Sequence, residues 1–198
     1  MPRKAPKYEG VKPNYPPLRR SAEQKVLHEM GQISRPEDRI VRAVEIVRQA
    51  DAEIGAHLGD RNAALASLYL YDHLEGASLA DAVGVNKNAL RKVLAEVSLG
   101  DSRAQIPPHM SDDELTQFAK KHKVRHIPDA AERLAELGRI IEKAKARRGV
   151  AVRVMQDTIL VLNDEPYGWK PERIAEHAGV MRDLIYKQRA AARKRHGL

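Results

Sequence analysis

Along most of the chain apolar residues recur every three to four positions, the spacing of helices that each bury one face. Ser21 with Gln24 three residues on, then Val26, Leu27 and Met30 before Gly31, has the capping-box spacing and glycine stop of a short helix. Ser34 with Glu37 opens a longer amphipathic helix through Ile40, Val44, Val47, Ile54 and Leu58, with Gly59 as its end. Asp60 then caps another, whose buried stripe is Ala64, Leu65, Leu68, Tyr69, Tyr71 and Leu74; Gly76 halts it, and a third begins at Ser78. From Val97 to Ser111 the periodicity lapses around Gly100, Pro107 and Pro108, as in a connection between domains. Ser111 with Glu114 is a further capping box, opening a short helix through Leu115, Phe118 and Ala119 that Pro128 keeps from simply continuing. From about Asp129, Leu134, Leu137, Ile141 and Ala144 follow a 3-4-3 spacing between charges, which suits a spacer helix or a brief pairing seam. Gly149 separates that helix from Val150 to Leu162, DEPYGWKP forms a turn-rich break, and one more helical pair closes the chain.

This pattern divides the chain into a flexible basic arm at 1–20, a first helical domain at 21–99, a linker at 100–111, a helical spacer at 112–148 and a second helical domain with a basic tail at 149–198. The arm holds Pro2, Pro6, Pro13, Pro16 and Pro17 among its basic residues, a composition that favours extended backbone over a buried core. Arg3 and Lys4 in it are candidates to hold phosphate, and Tyr8 and Tyr15 are candidates to touch a partner.

Composition sharpens the picture. Aromatics are only 4% of the 198 residues while Ala, Leu, Arg and Glu abound, so the expected fold class is all-α: two small helical domains joined by a linker and spacer helix. The absence of cysteine removes disulfides, thiolate metal sites and cysteine nucleophiles. Lys and Arg number 35 against 27 Asp and Glu, for a net charge of +8, which points to a polyanionic partner. The first 20 residues carry six basic residues and one acid and residues 182–198 carry the same, so the positive charge sits at the two ends and everything between sums to −2. No apolar run approaches the roughly 18 residues that span a bilayer, and a soluble, cytoplasmic protein without membrane contact is expected.

The segment GASLADAVGVNKNALRKVLAE, residues 76–96, sets two short helices about a tight glycine turn. Ala80 takes a position too crowded for a larger side chain, Gly84 the position of positive φ, and Val85, Leu90 and Val93 the packing positions. The segment resembles the helix-turn-helix DNA-binding superfamily. The same order returns 95 positions later in PERIAEHAGVMRDLIYKQRAAARKRHG, with Ala175 at the crowded site, Gly179 at the turn, and Ile174, Val180 and Ile185 packing. One position departs from the superfamily pattern: Gln188 stands where a buried aliphatic is expected, so the helix is rotated or Leu184 takes over part of the packing. The resemblance implies that Lys87, Asn88, Arg91 and Lys92 of the first unit face a major groove, and Arg182, Asp183, Tyr186 and Lys187 of the second. Arg189, Arg193, Lys194 and Arg195 continue toward backbone phosphates.

The implied partner is double-stranded DNA. The two outward faces differ at nearly every position, so one chain, as a monomer or weak homodimer, is expected to read an asymmetric bipartite site as a regulator of bacterial or phage type, a repressor among them. Two alternatives stay open: a nucleoid-associated architectural protein, and a sigma-like or adaptor factor in which one unit contacts a protein such as RNA polymerase. His122 and His126, four apart, read as a surface pair, and Asp112, Asp113 and Glu114 as a helix start. Neither a phosphate loop, a Ser/His/Asp arrangement nor HExxH is present, so neither cofactor nor catalysis is expected.

Overall fold

The computed structural model describes residues 5–198. Among them it contains α-helices and no strand: α1 (Tyr15–Gly31), α2 (Pro36–Leu70), α3 (Gly76–Ala82), α4 (Lys87–Leu99), α5 (Asp112–Lys121), α6 (Ala130–Asn163), α7 (Pro171–Ala178) and α8 (Arg182–His196). The all-α expectation therefore holds. No helix among the described residues is long and apolar enough to cross a membrane.

Several helix ends follow the capping signals. Ser111 accepts from the Glu114 N–H at 3.3 Å while the Glu114 carboxylate accepts from the Ser111 N–H at 2.7 Å, a closed capping box. Pro171 occupies the first turn of α7, where its missing N–H costs nothing. Other ends differ. α1 starts at Tyr15 with Pro16 and Pro17 in its first turn, so Ser21 lies inside it. α2 starts at Pro36, and the Glu37 carboxylate takes the Arg35 guanidinium instead of closing a box with Ser34. Gly59 and Gly149, read as stops, lie within α2 and α6, which run on for 35 and 34 residues. A helical glycine costs only about 1 kcal/mol, which the apolar stripes on either side outweigh.

The described chain packs as two compact units that do not follow the chain in sequence. The first takes the described residues through Tyr15 together with Gly55–Ile141, and the second takes Pro16–Ile54 together with Glu142–Leu198. Each long helix thus gives one end to each unit. In α2 the change is visible in burial: Ala50 and Arg61 are buried and nothing between them is.

In the first unit the core is built on Leu65, Leu70, Leu79, Val83, Leu94 and Leu134. Each such side chain contributes about 1.5–3 kcal/mol by leaving water. Residues 100–111, read as a linker, belong to this unit, with Ile106 and Met110 packed on its core. Nor is the start of the chain a free arm where it is described. Tyr8 and Tyr15 are buried, and their hydroxyls donate to the carbonyls of Ala131 at 3.1 Å and Ala82 at 2.7 Å. The Tyr8 N–H donates to Ser78 Oγ at 3.0 Å and the Pro6 carbonyl accepts from the Glu75 N–H at 2.8 Å. These rings are occupied with the core, which corrects the expectation that they meet a partner. Arg3 and Lys4 lie outside the described residues.

In the second unit Ile40 and Ile46 of α2 pack with Val150, Ile159 and Leu162 of α6, Ile174 of α7 and Ile185 of α8. The spacer reading of 112–148 is replaced by α5 and by the first part of α6, which continues into this core. Ion pairs fasten the polar sides: Asp51 with Arg148 at 2.6 Å, Glu53 with Arg147, and the buried Glu142 with Arg19 and Lys145.

Candidate nucleic-acid interface

The two short-helix pairs, α3–α4 and α7–α8, close their leading helices in the same way. In the first, the Gly84 N–H donates to the Asp81 carbonyl at 3.1 Å and the Val85 N–H to the Ala80 carbonyl at 2.9 Å. In the second, Gly179 donates to Glu176 at 3.1 Å and Val180 to Ala175 at 3.0 Å. Both are the paired bonds of a Schellman ending, which needs positive φ at its glycine; Gly84 has φ 66° and Gly179 has φ 62°. Ala80 and Ala175 are buried under the following helix, as the crowded position requires, and Leu90 and Ile185 are buried at the matching place beyond the turn. In the second pair the Arg48 guanidinium also donates to the Gly179 carbonyl, holding the turn from α2. Sequence reasoning did not single out Arg48, because nothing local links it to a turn 131 positions away.

Beyond the first turn, Asn86 caps α4 by accepting from the Ala89 N–H at 2.8 Å. That start fixes which side chains leave the core. Lys87, Asn88, Arg91 and Lys92 are all exposed, while Leu90 and Leu94 between them are buried. None of the four has a side-chain hydrogen bond or ion pair among the described residues. At helical spacing they form one cationic face with an amide in it.

The face borders a groove of about 880 Å³. Across it stands the segment 102–110, with Arg103, Gln105 and His109 exposed. Its apolar lining comes from the buried Leu94 and Leu115 and the half-buried Tyr69, Ile106 and Met110. The lapse of periodicity hid this element, although Ile106 and Met110 were the available signal that it packs.

The second face is different. Arg182, Asp183 and Lys187 are exposed, as are Arg193 and Lys194. Tyr186 is 45% exposed, but its hydroxyl donates to Glu172 at 2.9 Å. That bond raises the phenol above its usual range; the Glu172 carboxyl is lowered chiefly by a backbone hydrogen bond and next by the bond from Tyr186. Arg189 is half-buried with its Nε enclosed and unpaired. Arg195 is engaged by Gln156 and Asp157, and Asp157 also meets His196 at 2.7 Å, so Arg195 is held against α6. Gln188 answers its departure from the pattern with a polar partner: its carbonyl oxygen accepts from the Gln156 amide at 2.7 Å. Met181, at the start of α8, is 80% exposed and gives that helix no side-chain cap.

The remaining polar clusters are structural. His122 lies tilted against Phe118 and His126 against Tyr71, with ring centroids 4.5 and 4.9 Å apart. Among the described residues no three His, Cys, Asp or Glu side chains gather as a metal would require. Trp169 packs on the second core, with Arg173 stacked 4.0 Å from its ring. No protein-family model, curated protein or solved structure matches this chain.

Proposed function

We propose that the protein is a double-stranded DNA-binding regulator whose α3–α4 and α7–α8 pairs are helix-turn-helix units, with α4 as its principal reading helix. The observation that carries this reading is the α4 face, where Lys87, Asn88, Arg91 and Lys92 are exposed together and have no side-chain partner among the described residues. Arg and Lys match the acceptors of guanine, Asn matches adenine, and all can hold phosphate. The Schellman turn at Gly84 and the Asn86 cap give that face a fixed start, which base reading requires. In α8, Arg182, Lys187, Arg193 and Lys194 remain available to phosphates, whereas Arg195 is committed to Asp157.

Because the residues differ between the two faces, the proposed site is asymmetric. Footprinting on a duplex selected from a random pool tests this: an asymmetric protected site supports the proposal, and a perfectly twofold site bound by two chains overturns the bipartite reading.

A second reading has its own support. The acidic Asp183 and the tethered Tyr186 leave the four positions of α8 that match the α4 face less cationic than Lys87, Asn88, Arg91 and Lys92, and with the exposed Met181 they suit contact with a protein. In that case α4 alone binds DNA. Substituting Lys187, Arg193 and Lys194 together by Ala leaves duplex affinity unchanged under this reading, and weakens it under the first.

A further inference from the structure

The groove beside α4 has a composition that DNA reading does not call for. Phosphates and base edges ask for polar donors, yet about half of this groove's lining is apolar: Leu94, Leu115, Tyr69, Ile106 and Met110 sit beside the polar Asn88, Ser102, Gln105 and His109. Its exposed residues include Arg91 and Lys92 on one side and Arg103 on the other, and no carboxylate lines it. At about 880 Å³ it lies within the size range of small-molecule sites, roughly 300–1,000 Å³. Apolar side chains beside exposed cations, with no carboxylate among them, complement one class of ligand: an apolar body bearing an anionic group.

We infer that this groove is a binding site for a small amphipathic anion, such as an aromatic carboxylate, with its ring among Tyr69, Ile106 and Met110 and its charge at Arg91 and Arg103. The inference goes beyond the proposed DNA function and does not need it. It has one consequence that does rest on that function: Asn88, Arg91 and Lys92 serve both the groove and the proposed duplex face, so a bound anion excludes a duplex from α4.

Titrating the ¹⁵N-labelled full chain with 2-naphthoate, followed through its amide resonances, tests the site. Saturable shifts centred on residues 88–92 and 102–110 are expected. The neutral isostere 2-naphthamide and the variant Arg103→Gln each bind roughly tenfold more weakly, because each loses a charge-assisted contact. Ala104→Trp, which crowds the groove from the exposed segment, abolishes the shifts. No shifts at millimolar naphthoate, shifts centred elsewhere, or equal affinity for naphthamide would overturn the inference. Naphthoate binding that leaves duplex affinity unchanged overturns the exclusion alone, and naphthoate binding by a chain that ignores every duplex overturns the DNA reading alone.

Discussion

Alanine at Gly149 and alanine at Gly179 test two opposite uses of glycine in the same unit. Gly149 lies inside α6, and a Cβ there meets only Arg153 Nη1 at 3.9 Å, an ordinary contact. The added methyl restricts the unfolded chain and strains nothing, so Gly149→Ala gains about 0.5–1 kcal/mol. At Gly179 a Cβ also finds room, with Arg48 Nη2 nearest at 3.9 Å, but the backbone is left-handed with φ +62°. Gly179→Ala therefore loses about 1–2 kcal/mol, all of it from conformation. The two variants move in opposite directions and end about 1.5–3 kcal/mol apart. Urea unfolding of the full chain, followed by far-ultraviolet circular dichroism, measures both. Loss of stability at both positions, the result expected if Gly149 ended one helix and began another, would refute the continuous α6. Gly59→Ala repeats the test in the other unit, where a Cβ on α2 meets nothing within 4 Å and a gain is again expected.

Tyr8→Phe leaves the Ala131 carbonyl without its donor and costs about 1 kcal/mol, while Tyr8→Ala costs about 3–5 kcal/mol; unchanged unfolding midpoints would show that the chain start is no part of the core. Burial pushes the Glu142 carboxyl up, but hydrogen bonds from Lys145 and Arg19 outweigh it and hold the group below its ordinary range. The folded state thus binds this proton less readily than the unfolded one: the contribution is present at neutral pH and lost as pH falls through the lowered folded value. Unfolding midpoints of Glu142→Gln and wild type should converge toward low pH, and parallel profiles would contradict this. Lys92→Ala should shallow the salt dependence of duplex binding by about 1 in the log–log slope, whereas Arg195→Ala should leave it unchanged, since Arg195 is held by Asp157.

What the sequence revealed depended on how local the determining physics is. The turns at Gly84 and Gly179 were legible because one left-handed residue, a small residue four positions before it and an apolar residue after it suffice to define them. The outward residues of α4 followed by counting from that turn. Gly59 and Gly149 were misread because a glycine is compatible with both a helix stop and a helix interior, and tertiary burial of α2 and α6 made the choice. Tyr8 and Tyr15 looked free because their partners, Ala131 and Ala82, are 123 and 67 positions away. The same distance problem hid the division into units, in which each long helix is shared, and the placing of 102–110 beside α4. On α8 the sequence supplied the cations, but only the fold revealed that Arg195 is taken by Asp157 and that Arg189 is half enclosed.

The central claim is that the α4 face reads bases. Selecting duplexes from a random pool with the full chain, and again with the Asn88→Ala, Arg91→Ala double variant, tests it most directly. The wild type is expected to enrich one motif, and the variant to retain binding with its preference relaxed by about 1–3 kcal/mol per lost bidentate contact. No enrichment by the wild type, or the same motif enriched equally by the variant, would contradict it.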